Sequence, residues 1–297
     1  MRTLEIWLRR MLLAAGLFAL CGSASASTGA QPDYRMGLRV FNGDDGLPQS
    51  GVNAVVQTSD GYLWVGTFGG LARFDGLTFT VFQGDPSLDT PGLEGMAQAG
   101  PASPRILALY EDDKKQLWIG TQDAGLSVYR QGAFHHLSIC GGICQVNGIL
   151  QAPDRTLWIA TNAGLLNLDP VRKRETWIDP VRTGHTRLAR DGQGHIYVAG
   201  GDGFFVVAER RLRRIPLPDG DGWVRVLETS GRDLLVGTNR ALYRYQPDQG
   251  RWQPLGVAGP DAAMKDADGR WWVSTESGQL IRENGDGVWQ EIPELFG

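Results

Sequence analysis

The sequence predicts an all-β fold, a β-propeller of four-stranded antiparallel blades. Three observations carry the prediction. One motif returns six times at a dominant period, each copy keeps a constant internal offset, and glycine and tryptophan are abundant. Forty-one glycines and ten tryptophans in 297 residues suit many short strands joined by tight turns. With 42% apolar and 21% charged residues, the chain also has the makings of a globular core.

The motif is Leu63-Trp64-Val65-Gly66-Thr67, which returns as Leu117-Trp118-Ile119-Gly120-Thr121 and Leu157-Trp158-Ile159-Ala160-Thr161. Looser copies are Ile196-Tyr197-Val198-Ala199-Gly200, Leu234-Leu235-Val236-Gly237-Thr238 and Trp271-Trp272-Val273-Ser274-Thr275. The anchor positions 64, 118, 158, 197, 235 and 272 lie 54, 40, 39, 38 and 37 residues apart, one period with a single insertion. The repeats run over approximately 47–83, 105–137, 144–178, 185–216, 223–255 and 260–293.

Twelve residues before each anchor a short, mostly apolar segment begins, from Val52, Ile106, Val146, His185, Trp223 and Pro260. Turn residues such as Asp60-Gly61, Asp154-Arg155 and Asp268-Gly269 separate it from the anchor, so each repeat opens as a β-hairpin. A small-then-apolar step follows into a third strand, at Gly70-Leu71, Gly125-Leu126, Gly164-Leu165, Gly203-Phe204 and Ala241-Leu242, with Gly278-Gln279 as a polar variant. A fourth strand carries an apolar plug, predicted at Phe79, Phe134, Trp177, Leu212, Trp252 and Trp289. Four short strands per period make a propeller blade. The glycines, β-branched residues and period-two alternation argue against a helical repeat. Blades cover one another's faces, so the repeated tryptophans read as core.

Residues 1–26 follow another rule. Arg2, Arg9 and Arg10 precede an apolar run from Met11 to Leu20, and Ala24-Ser25-Ala26 offers a cleavage site. A cleaved secretory signal peptide is expected, with a membrane anchor as the alternative. Without Arg2, Glu5, Arg9 and Arg10 the formal charge moves from −4 to −6. An acidic exported protein is a poor partner for nucleic acid. The basic cluster Arg210, Arg211, Arg213 and Arg214 alternates with Leu212 and Ile215 and reads as a solvated strand face.

Cys140 and Cys144 flank Gly141-Gly142-Ile143, and in an oxidising compartment such a pair closes a disulfide; a free thiol pair is the alternative. His135 and His136 are adjacent, so on a strand they point to opposite faces and do not converge on a metal. No cofactor is expected.

The run Asp45-Gly46-Leu47-Pro48, then Val52-Asn53, then Asp60-Gly61-Tyr62-Leu63-Trp64-Val65-Gly66-Thr67, then Gly70-Leu71-Ala72-Arg73-Phe74-Asp75-Gly76, resembles the two-component regulator propeller repeat. The resemblance spans nearly all of the chain after residue 26 and is strongest in the first three repeats. It implies the periplasmic sensor region of a hybrid histidine kinase or diguanylate cyclase, whose propellers close with seven blades. No kinase or cyclase module is found up to Gly297, so such activity is expected only of a longer parent protein.

The leading expectation is therefore a periplasmic ligand-sensing propeller, not an enzyme. Its expected partners are a small-molecule or glycan ligand and a membrane-bound signalling module. An exported propeller enzyme of lyase or glycosidase type, or a protein-interaction scaffold, is the alternative. With four histidines and most carboxylates in turns, the sequence offers no catalytic constellation. The turn between second and third strands opens near the central channel, and it presents Phe68, Asp123, Asn162, Asp202, Asn239 and Glu276 as candidate ligand-binding residues. The alternative reading of these six is ordinary turn formers. Finally, Leu38 to Phe41 looks like the outer strand of a closing blade, so an incomplete seven-bladed ring is expected.

Overall fold

The computed structural model describes residues 39–84, 98–141, 144–178, 187–201, 203–218, 220, 222–266, 268–285 and 287–292. The expected signal peptide, residues 1–26, lies outside them. Val40–Gly297 forms one compact unit, to which everything below refers.

Six four-stranded antiparallel sheets follow in chain order. Blade 1 holds β1 (Val52–Gln57), β2 (Leu63–Thr67), β3 (Leu71–Phe74) and β4 (Phe79–Phe82). Blade 2 holds β5 (Ile106–Glu111), β6 (Leu117–Thr121), β7 (Leu126–Arg130) and β8 (Ala133–Leu137). Blade 3 holds β9 (Val146–Gln151), β10 (Leu157–Thr161), β11 (Gly164–Asp169) and β12 (Arg174–Ile178). Blade 4 holds β13 (Arg187–Arg190), β14 (Ile196–Gly200), β15 (Gly203–Ala208) and β16 (Arg211–Ile215). Blade 5 holds β17 (Val224–Ser230), β18 (Asp233–Thr238), β19 (Ala241–Gln246) and β20 (Arg251–Ala258). Blade 6 holds β21 (Pro260–Lys265), β22 (Trp271–Thr275), β23 (Leu280–Glu283) and β24 (Trp289–Glu291). The first strand of each blade is innermost, and these strands pack in the order β1, β5, β9, β13, β17, β21. Among the described residues β21 has no comparable packing on β1.

Each anchor side chain of blades 1 to 5 points toward the next blade. Trp64 and Leu71 pack with Ile106, Leu117, Ile119 and Phe134 of blade 2. Trp118, Leu126 and Val128 meet Val146, Leu157 and Ile159 of blade 3, and the pattern continues through Trp158, Tyr197 and Leu235. Burying one such ring stabilises the stack by about 2–3 kcal/mol. The glycine two residues after the anchor has the same cause. A Cβ on Gly66 would meet Ile106 Cγ2 at 2.6 Å, and one on Gly120 would meet Val146 Cγ1 at 2.5 Å. The first residue of the next inner strand occupies that space.

The ring nitrogen of the anchor is satisfied six residues upstream. Trp118 Nε1 donates to Asp112 Oδ2 (2.9 Å), Trp272 Nε1 to Asp266 Oδ2 (2.9 Å) and Trp64 Nε1 to Thr58 Oγ1 (3.2 Å). In blade 4 the Tyr197 hydroxyl donates to Asp191 Oδ2 (3.2 Å). The three aspartates also take backbone N–H groups of the tight turn before the anchor strand, as Asp112 does from Lys114 and Gln116. A single side chain thus fixes the turn and removes the cost of burying an indole N–H.

Two details differ from the sequence reading. Trp177 is exposed and the plug of blade 3 is its neighbour Ile178, because the register Leu165↔Ile178 aims Ile178 at the core. Leu38 lies outside the described residues, and Val40 and Phe41 are not in a strand. Phe41 instead packs edge-on against Phe74 and Phe79 at 5.0 and 5.4 Å, covering the free face of blade 1 together with Leu47. Arg211, Arg213 and Arg214 are exposed around half-buried Leu212 and Ile215, a solvated face as predicted.

Candidate functional site at the mouth

The end of the propeller where second strands turn into third strands is built on buried threonines. Thr67 Oγ1 donates to the Gly70 carbonyl (2.9 Å) and accepts the Gly69 N–H (3.0 Å). Thr121 does the same with Gly125 and Ala124, and Thr161 with Gly164 and Ala163. Thr238 repeats it with Ala241 and Arg240. The residue after the threonine then donates its backbone N–H to the chain entering the same blade. Gln122 bonds Arg105, Asn162 bonds Gln145, Asn239 bonds Trp223 and Glu276 bonds Gly259, at 2.9–3.1 Å. Turn and entry segment are therefore held side by side around the axis.

A second repeated feature lies on the inner strands at this same end. The pairing register slips by one residue between Val52 and Ala54, Ile106 and Ala108, Val224 and Val226, and Pro260 and Ala262. A matching slip in blade 3 lies opposite Ala160 and Thr161, between Val146 and Gly148. The extra residues of these β-bulges are Asn53, Leu107, Arg225, Asp261 and Asn147. A bulge re-aims a side chain out of the regular alternation and commonly borders a binding site. Four of the five are polar.

These side chains meet the predicted turn residues. Arg225 of blade 5 bridges to Asp261 (3.0 Å) and Glu276 (2.6 Å) of blade 6. Asn162 Oδ1 accepts the Gln145 N–H (3.1 Å), and Gln145 Nε2 donates to Asn147 Oδ1 (2.7 Å). Arg105 faces Asp123 at 3.8 Å. Asn53 Nδ2 donates to the Ile106 carbonyl of blade 2 (3.0 Å). Three polar atoms here, Asp123 Oδ1, Asn147 Nδ2 and Arg225 Nε, are buried without a protein partner among the described residues. Such atoms are costly unless something else satisfies them.

Of the six predicted residues, Asp123, Asn162 and Glu276 thus join this network. Phe68 and Asn239 sit exposed on the same rim, and Asp202 lies outside the described residues. The sequence reading missed Arg105, Asn147, Arg225 and Asp261. It also placed Trp223 inside a strand, whereas that residue precedes β17 and is 59% exposed; Phe68 is 43% exposed. No sequence signal marks the bulge residues, since the slip shows only in the pairing with the second strand.

Glu228 lies deeper on β17. The residue is exposed at its surface, yet desolvation by the groups around it pushes its carboxyl up to about 7, against a smaller pull from Arg187. Cys140 and Cys144 form a disulfide with Cα atoms 6.2 Å apart, in the connection from blade 2 to blade 3. Among the described residues no three His, Cys, Asp or Glu side chains gather as metal ligands.

Residues 46–69 and 100–123 match the family described as Two component regulator propeller. A 53-residue stretch is 43% identical to Histidine kinase P4 of Formosa agariphila, covering 18% of this chain and 4% of that protein. The fold is similar to the extracellular domain of BT3049 from B. thetaiotaomicron, named as a hybrid two component system. There the TM-score is 0.65 at 19% identity over 81% of this chain and 34% of the other. It is similar also to virginiamycin B lyase from Staphylococcus aureus, with TM-score 0.64 at 12% identity over 83% and 85% of the two chains. The chain thus spans about one third of the solved two component structure and a small part of the kinase.

Proposed function

We propose, for a chain that carries repeats of the two-component regulator propeller family, that the mouth is the ligand site of a periplasmic sensor module. The observation that carries this reading is the bulge repeated in five inner strands, which sets Asn53, Asn147, Arg225 and Asp261 at the same end of their blades. A bulge costs ladder hydrogen bonds, and its return in blade after blade is the mark of a feature with a use. The partners on offer are amide, carboxylate and guanidinium groups, with Phe68 and Trp223 as exposed ring faces. That combination suits a glycan, whose hydroxyls need donors and acceptors in equal measure and whose carbon face stacks on aromatics. Binding across the Arg225 bridge would alter how blades 5 and 6 meet, a change that a membrane-bound signalling module can read.

A binding module fits the site better than a catalyst. Its carboxylates Asp123, Asp261 and Glu276 are each engaged by an arginine, an arrangement of paired charges that suits holding a polar ligand. The likeness to a lyase is one of fold.

The test is calorimetric titration of the purified protein with a panel of neutral and acidic oligosaccharides. For whichever probe binds, Asn147→Ala and Trp223→Ala each weaken affinity by about tenfold, the loss of a buried hydrogen bond or a stacking face. Unchanged affinity in both variants, with the fold intact by circular dichroism, would overturn the site.

A further inference from the structure

A groove of about 530 Å³ lies between blades 2 and 3 along the outer strand β8, reaching from the turns opposite the mouth to Ser138 and Ile139. Its floor is apolar, made by Trp118, Val128 and Leu168 of the interblade core. Its rim is cationic. Lys114 comes from the turn between β5 and β6, Arg130 from the end of β7, and Lys173 from the turn between β11 and β12. The register Val128↔His135 puts His135 on the same face.

Every nearby carboxylate already has a partner. Asp112 holds the Trp118 indole and its own turn. Asp113 pairs with Arg155 (2.8 Å), Asp169 pairs with Arg172 (2.8 Å), and Glu175 accepts the Cys140 N–H (3.3 Å) beside the disulfide. Among the described residues Lys114, Arg130 and Lys173 make no ion pair, and against Glu175, the one carboxylate in the lining, they leave the groove with a net positive charge on a protein of net charge −4. Lys173 moreover sits in the left-handed region at φ 53°, where a glycine would rest more easily.

We propose that this groove is a second binding site, taking a small amphipathic anion whose carboxylate or sulfate meets the three cations while its carbon body lies on Val128 and Leu168. The volume falls in the range of small-molecule sites, and the pairing of apolar floor with converging charge is what such sites show. A carboxylate on an alkyl chain and a sulfate ester share this chemistry; they differ in how many donors they engage.

Three probes separate the possibilities by calorimetry in low salt: sodium octanoate, octyl sulfate and neutral octyl glucoside. The two anions bind at one site and the neutral probe at least tenfold more weakly. Arg130→Gln and Lys173→Gly each lower anion affinity by about tenfold, the loss of one charge-assisted contact. Lys173→Gly keeps the turn and so the fold, which isolates the charge. Stronger octyl sulfate binding marks a sulfate ester as the source, and stronger octanoate binding marks a carboxylate. Equal binding of all three probes, or anion affinity unchanged in both variants, overturns the proposal. Neither variant touches the mouth, so oligosaccharide binding there stays as it is in the parent protein.

Discussion

The junction between blades 1 and 2 and the outward face of blade 6 are made from the same parts and end in different states. Trp64 and Trp272 occupy equivalent positions, and each donates its indole N–H to a side chain six residues upstream. Trp64 is 2% exposed because Ile106, Ile119 and Phe134 of the next blade close over it. Trp272 is half-buried, with the Arg282 guanidinium 4.8 Å above its ring and Met264 beside it 65% exposed. Val273 and Trp271, on the other face of that strand, are buried against blade 5. Strand register decides which way an anchor points; a neighbour decides what that is worth. Blade 1 meets the same problem on its first face by laying Phe41 and Leu47 over it.

Substituting the anchors breaks the comparison most directly. Trp64→Ala leaves a cavity between two blades and lowers stability by about 3–5 kcal/mol in denaturant unfolding. Trp272→Ala removes a ring that is only partly covered and costs about 1 kcal/mol. Equal losses would mean that blade 6 has a neighbour over Trp272 in solution.

The glycine two residues beyond the anchor tests the same difference from the side of overpacking. Gly120→Val drives its side chain into Val146 and destabilises by about 2–3 kcal/mol. The equivalent Ser274→Val in blade 6 faces the open side and stays within about 0.5 kcal/mol of the parent. A large penalty at Ser274 would again place a close-packed partner there.

The smallest effect is acid-linked. Burial raises the Asp266 carboxyl, but the Trp272 indole, the Arg270 N–H and the Arg282 guanidinium together hold it below its usual value. A carboxyl lowered in the folded state stabilises at pH values above its unfolded pKa, about 4, and that contribution is lost as pH falls through the lower folded value. The Asp266→Asn variant should therefore unfold with a shallower acid limb than the parent. An unchanged limb would show that the Trp272–Arg282 cover does not depend on this carboxylate.

The repeats were legible because the constraints behind them act within one blade. Large anchor, small residue, threonine and turn acid all sit within about ten residues, so the pattern survives even where Tyr197 and Leu235 replace tryptophan. The indole acceptors Thr58, Asp112 and Asp266 were not singled out in the sequence, because their contact with the anchor six residues on needed the fold. The bulges were not legible. One extra residue in Val52-Asn53-Ala54 or Val224-Arg225-Val226 preserves the apparent alternation of an ordinary strand, and only pairing with the next strand reveals it. Contacts between blades escaped for a related reason. The bridge from Arg225 to Glu276 and the cover of Phe41 on Phe79 join residues whose sequence separation follows no local rule.

The buried threonines carry a consequence for how such a protein changes over time. Because Thr67, Thr121, Thr161 and Thr238 set the shape of their turns from below, the side chain that follows each is not needed to form the turn, although that of Asn162 also takes the Gln145 N–H. Phe, Gln, Asn and Asn stand there in this chain. Mutation can rewrite the rim one blade at a time, trying a new chemical letter at each place while the frame beneath keeps its spacing. A duplicated blade arrives with its turn already formed and its lettering free to drift, so new specificity is reachable by single steps that leave folding untouched.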